Sequence, residues 1–228
     1  MTASAPAAMH AFDDIAGTLK TGDLFVAHGD SAISKVIEAM FSSEWSHSGM
    51  VVLASDLGLD LPVNVLLWES TRSTELPDVV TGSYKKDDPK RPGGTFLVDL
   101  RKRLAYDMTI EEMPVAFRRM NVTLSPAMLD GLKAAMTEVR GAHFPADEQF
   151  AHDFWEGRRH NRAPSGYDRF FCSELVAYTL MKMNLLATDK VPTWYEPKSY
   201  STENAPGIEL LQGATLGEQV WVDRVSAT

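Results

Sequence analysis

Cysteine is nearly absent from this chain: Cys172 is the only one in 228 residues. A single thiol excludes an internal disulfide, and with it a small secreted fold held together by bridges. It also excludes a zinc site built from paired cysteines, and no His-Glu-x-x-His occurs. Neither a Gly-x-Ser-x-Gly elbow nor a Gly-Lys-Ser/Thr phosphate loop is present. No run approaches the ~18 apolar residues that a membrane span needs, so stable membrane insertion is not expected. Positive charge is short as well. Lys and Arg total 22 against 31 Asp and Glu, a net charge of −9, with a pI near 5.1. That balance disfavours a nucleic-acid surface, which needs clustered cations. The pairs Lys85-Lys86 and Arg158-Arg159 read as solvated loop. The first ten residues lack the basic and long apolar regions of a signal peptide, so the sequence points to the cytoplasm.

What is present suits one globular unit: 44% hydrophobic and 23% charged residues. Residues 1–12 read as a loosely ordered, disordered N-terminal segment and 13–228 as a single domain. Thr21-Gly22-Asp23 turns into a strand over Leu24–Ala27. Asp30-Ser31 caps a helix with Ile33, Val36, Ile37, Met40 and Phe41 on one face. Ser48–Ala54 and Val63–Glu69 are continuous apolar runs, as expected of buried central strands. Residues 71–94 hold Pro77, Gly82, Pro89, Pro92, Gly93 and Gly94 and read as a long loop. Strands are expected over Thr95–Leu100 and Pro114–Met120. Ser125-Pro126 then starts a helix that Gly141 stops. Residues 142–166 read as a loop with a short helix at Gln149–Trp155. A helix follows from Cys172, with Leu175, Val176, Thr179, Leu180 and Met183 at helical spacing. The tail from Pro192 reads as loop, ending in a strand near Gln219–Val225. Strands and helices segregated in this way predict an α+β fold with an antiparallel sheet.

The ordinary role of a lone cysteine is that of a small buried hydrophobe. Cys172 departs from it by standing at a helix start. There the backbone N–H groups and the dipole favour the thiolate, which is the nucleophile. Such a nucleophile needs a base and a group to orient that base. His47 lies at the mouth of one apolar strand and Glu69 at the far end of the next. If those strands pair antiparallel, the two side chains are neighbours. Alone, each would be an unremarked strand-end residue; their joint placement with Cys172 is what points to chemistry.

In the order His47, Glu69, Cys172 the chain resembles the permuted papain-like amidases of the YaeF/YiiX type, within the NlpC-like cysteine peptidase superfamily. The matching segments are Gly22-Asp23-Leu24-Phe25, Ser46-His47-Ser48-Gly49-Met50-Val51, Trp68-Glu69-Ser70 and Phe171-Cys172-Ser173-Glu174-Leu175-Val176. Together they span roughly residues 20–200. In unpermuted members the cysteine comes first. The resemblance implies a papain-like fold, a central mostly antiparallel sheet packed against helices. It also implies a cysteine peptidase or amidase acting through a thioester, with no cofactor and no metal. Cys172, His47 and Glu69 would be catalytic. Tyr167, Trp45, Ser46 and Phe171 are expected around the substrate, a small peptide-like or acyl molecule. The chain departs from the family pattern after Gly141, where Phe144 stands in place of a tyrosine. Gly166-Tyr167-Asp168 occurs instead just before Cys172.

Three other readings compete. One gathers His143, His152, His160 and Cys172 around zinc. A second is a lipid acyltransferase or thioesterase, with Trp45, Trp68, Phe170 and Phe171 lining an acyl groove. The third is a non-catalytic binding module of papain-like fold. The long loops 71–94 and 142–166 adjoin the candidate residues and are expected to wall the cleft, with Tyr167 and Trp155 reaching toward it. The competing expectation is that they cover a sheet edge.

Overall fold

The computed structural model describes residues 8–28, 43–72, 75–83, 93–110, 115–145, 147–162, 166, 168–203 and 208–226. The expected helix beginning at Asp30-Ser31 lies outside these residues, as do Tyr167 and residues 84–92.

Seven strands form one mixed sheet: β1 (Met9–Ala11), β2 (Leu24–Ala27), β3 (His47–Leu53), β4 (Val65–Thr71), β5 (Gly94–Asp99), β6 (Val115–Asn121) and β7 (Thr215–Arg224). Their spatial order is β1-β7-β6-β2-β3-β4-β5. All pairings are antiparallel except β1 with β7. The described helices are α1 (Phe12–Ala16), α2 (Ala54–Leu57), α3 (Leu100–Ile110), α4 (Pro126–Val139), α5 (Asp147–His160) and α6 (Cys172–Lys182). The α+β class expected from the element order is the observed one.

Alternation along the central strands sorts side chains to two faces. On one face Leu24, Val26, Met50, Val52, Leu66 and Trp68 pack with Leu132, Met136 and Val139 of α4 and Leu175, Val176 and Leu180 of α6. On the other, Phe25, Ala27, Val51, Leu67, Phe96 and Val98 pack with Phe12 and Ile15 of α1 and Leu100 and Leu104 of α3. Both faces are covered, which is why the strands read as continuous apolar runs rather than alternating ones.

Several expectations need correcting. Leu100 begins α3, an eleven-residue helix that follows β5 with no turn. Its pattern is easy to miss, because only Leu100, Leu104 and Met108 supply apolar contacts amid charge. The segment read as a loop with a short helix at Gln149–Trp155 holds the fourteen-residue α5. Within the N-terminal stretch read as loosely ordered, Met9–Ala11 forms β1, held by pairing with distant β7. The tail after Pro192 contains two 3-10 turns, Pro192–Trp194 and Pro197–Tyr200.

The described part of the 71–94 loop lies against a sheet edge. Asp78 Oδ2 accepts from Leu97 N at 2.9 Å, and Val79 N donates to Leu97 O at 2.8 Å. These bonds occupy the outer side of β5, the last strand of the sheet. They meet the edge-covering expectation for residues 75–83.

Candidate functional site

The β3–β4 register places Gly49 opposite Glu69. His47 is two residues from Gly49, so His47 and Glu69 share a face and sit diagonally across the strand pair. His47 Nε2 lies 2.6 Å from Glu69 Oε2. The Phe25 ring meets the imidazole edge-on, with centroids 5.9 Å apart.

Glu69 is 1% exposed. A lone carboxylate there would be costly, so its second oxygen also needs a cation. Arg103 of α3 supplies one, with Nε 3.1 Å from Oε1. Arg103 is in turn paired with Asp107 one turn on, NH1 to Oδ1 at 3.0 Å. Burial pushes the Glu69 carboxyl up, but the Arg103 charge and the His47 contact outweigh it and hold it below the usual range.

Cys172 is the first residue of α6 and is itself buried. Its helix packs on the face opposite His47. The thiol therefore reaches the imidazole at the very start of β3, where Sγ also lies 3.9 Å from Ser46 O. Cys172 lies near enough to the His47 ring to raise its proton affinity. Glu69 occupies Nε2 of that ring. Burial opposes charge on the imidazole, but the hydrogen bonds and negative charges of Cys172 and Glu69 prevail. They raise His47 from its usual 6.5 to about 10. An imidazolium is thus favoured beside the Glu69 carboxylate.

A ladder of bonds fixes the start of α6. Gly141 N donates to Thr95 O and Thr95 N to Ala142 O, extending the β5 edge. His143 N then donates to Asp168 O, and Phe170 N to His143 O. Ser70 Oγ of β4 donates to Phe170 O at 2.6 Å, and Trp68 Nε1 to Thr179 Oγ1 at 3.2 Å. Glu174 accepts from Phe171 N at 3.1 Å and caps the helix. Behind the thiol, Tyr200 donates to Ser173 O at 2.7 Å.

Three of the residues expected around a substrate lie among the described residues. Trp45 is buried and packs on Trp221, centroids 5.1 Å apart. Ser46 is buried and offers its carbonyl to the thiol. Phe171 directly precedes Cys172 and meets Phe144 edge-on at 5.5 Å. Trp155 is 50% exposed, with the Arg159 guanidinium over its ring. Arg103 and Asp107 were missed by sequence reasoning. Their signal is an i, i+4 charge pair set inside the stripe Leu100, Leu104, Met108. Among the described residues no group of three or more His, Cys, Asp and Glu side chains is placed to hold a metal ion. None of the described helices is long and apolar enough to cross a membrane.

No family model and no curated protein matches the chain. Among solved structures it is similar to the crystal structure of metalloprotein yiiX from Escherichia coli O157:H7, described there as DUF1105. The TM-score is 0.47 at 17% identity, covering 89% of this chain and 98% of that one.

Proposed function

We propose that this protein is a permuted papain-like cysteine hydrolase that cleaves an amide bond in a small peptide-like or amino-acid conjugate. The observation that carries the reading is the His47–Glu69 contact at 2.6 Å beside Cys172, whose sulfur stands at a helix N-terminus 3.9 Å from Ser46 O. In this mechanism the Cys172 thiolate attacks the carbonyl carbon and forms a carbon–sulfur bond. The oxyanion is received in part by the backbone N–H at the helix start. His47, held as imidazolium, gives its proton to the leaving nitrogen as the C–N bond breaks. Water, deprotonated by the now neutral His47, attacks the thioester, the carbon–sulfur bond breaks, and the thiolate–imidazolium pair is restored. Glu69 fixes the tautomer and stabilises the charged ring.

The test pairs labelling with turnover. Iodoacetamide should alkylate Cys172 well below pH 8.5, the usual thiol value, and His47→Ala should slow it. Cys172→Ala should cost on the order of 10³-fold or more in kcat on an active amide substrate, and Glu69→Gln on the order of 10²–10⁴-fold. Labelling at equal rates in wild type and His47→Ala would refute the ion pair. Turnover of acyl esters or thioesters, with peptide amides ignored, would assign the same three residues to acyl transfer.

A further inference from the structure

We propose that Arg103 and Asp107 of α3 are positioning residues for the Cys172–His47–Glu69 centre: they set the pH at which its thiolate forms. This rests on the hydrolase reading above and extends the chain of charges from three residues to five. Nothing in the three-residue mechanism requires either side chain, yet both are buried, Asp107 completely. A buried arginine and a buried aspartate are costly to keep unless their charges are used.

The geometry gives each a distinct task. Glu69 has two oxygens facing two cations: Oε2 meets His47 at 2.6 Å and Oε1 meets Arg103 at 3.1 Å. Arg103 thereby fixes the carboxylate rotamer, so that Oε2 stays aimed at the imidazole. Asp107, 3.0 Å from Arg103 NH1, holds the guanidinium from behind. Among the described residues, the charged and titratable groups facing Glu69 are His47 from β3, Arg103 and Asp107 from α3, and Cys172 of α6 beyond the imidazole. Tyr106 lies by the guanidinium, with Cζ 6.0 Å from the ring centroid. Phe25 of β2 and Phe96 of β5 supply apolar wall on the same face. In so enclosed a place charge is poorly screened, and each formal charge shifts proton affinity along the line.

The sign of the effect differs for the two residues. Removing the positive charge of Arg103 raises the proton affinity of the cluster, so thiolate formation moves to higher pH. Removing the negative charge of Asp107 leaves Arg103 less compensated and moves it to lower pH. A merely structural pair would weaken the fold when cut from either side without moving the limb in opposite directions.

The experiment is the pH–rate profile of iodoacetamide alkylation on the full chain, read by intact mass, since Cys172 is the only site of thiol labelling. The acid limb should shift up by about one pH unit in Arg103→Leu and down in Asp107→Asn. Arg103→Lys, which keeps the charge, should restore it to near wild type. If Arg103→Leu does not fold, the downward shift in Asp107→Asn and the restored limb in Arg103→Lys carry the decision. A depressed wild-type limb that neither Arg103→Leu nor Asp107→Asn moves, or that both move the same way, overturns this inference and leaves the hydrolase reading standing. A wild-type profile that follows an ordinary thiol overturns both.

Discussion

Cys172 and His47 belong to opposite faces of one sheet and approach each other only at the start of β3. His47 shares its face with Glu69 and α3, whereas α6 packs on the other side. The contact therefore depends less on sheet pairing than on how the first turn of α6 is seated. Its seat is the bond from Ser70 Oγ to Phe170 O, two residues before the thiol.

Ser70→Ala should therefore weaken both fold and site. The substitution leaves a buried carbonyl without its donor, at a cost of about 1–3 kcal/mol. Denaturant melts should show that loss. Iodoacetamide labelling of the folded variant at pH 7 should be slower than wild type, because the thiol is less firmly held beside His47. Unchanged labelling would mean that the 141–143 ladder alone seats the helix.

Much of this arrangement was legible in the residues. Apolar runs gave β3 and β4, Ser125-Pro126 gave the start of α4, and antiparallel pairing predicted the His47–Glu69 contact. The placement of α6 across the sheet was not legible, because strand alternation says nothing about where a helix 100 residues away begins. Helix α3 escaped because Arg101, Lys102, Arg103 and Asp107 dilute its apolar stripe and no turn separates it from β5. With it went Arg103 and Asp107. Helix α5 was hidden by its polar composition. It is fixed instead by close packing at Gly157, where an added Cβ would lie 2.2 Å from Thr193 Oγ1.

Glu174 should make stability depend on pH. Burial raises its carboxyl from the usual 4.5 to about 8, with the Phe171 N–H and Arg169 opposing and Asp153 assisting. The folded state thus holds a proton that the unfolded chain releases above about 4.5. Its contribution to stability is complete below 4.5 and is lost as pH rises through about 8. Glu174→Gln keeps an acceptor for Phe171 N and removes the titration. The stability of wild type relative to this variant should fall between pH 4.5 and 8, by on the order of a few kcal/mol. A flat difference curve from urea titrations would count against the buried neutral acid.

Gly131→Ala should destabilise the protein even though alanine is the better helix former by about 1 kcal/mol. The added Cβ would stand 2.2 Å from Lys182 O and 2.8 Å from Lys182 C, backbone atoms at the end of α6. The helices α4 and α6 must then separate, at a net cost of about 1–3 kcal/mol. Gly17→Ala, with nothing within 4 Å of the new methyl, serves as the control and should be neutral or slightly stabilising. Equal melting temperatures for the two variants would contradict the close crossing.

Asp78→Ala tests whether the described part of the 71–94 loop acts as edge cover. Asp78 Oδ1 accepts from Val80 N at 3.0 Å and Thr81 N at 2.9 Å. Its Oδ2 accepts from Leu97 N and, at 2.7 Å, from Arg140 NH1. The guanidinium so held lies over the Trp68 ring, 5.7 Å from its centroid. Truncation leaves the loop donors Val80 N and Thr81 N without their acceptor, leaves the β5 edge with an unpaired N–H and releases a half-shielded arginine. The expected loss is about 2–4 kcal/mol. Hydrogen exchange at Leu97 should accelerate far more than exchange within β3. If the loop instead forms a wall of the cleft, the variant should alter KM for an active substrate while exchange at Leu97 keeps its wild-type protection.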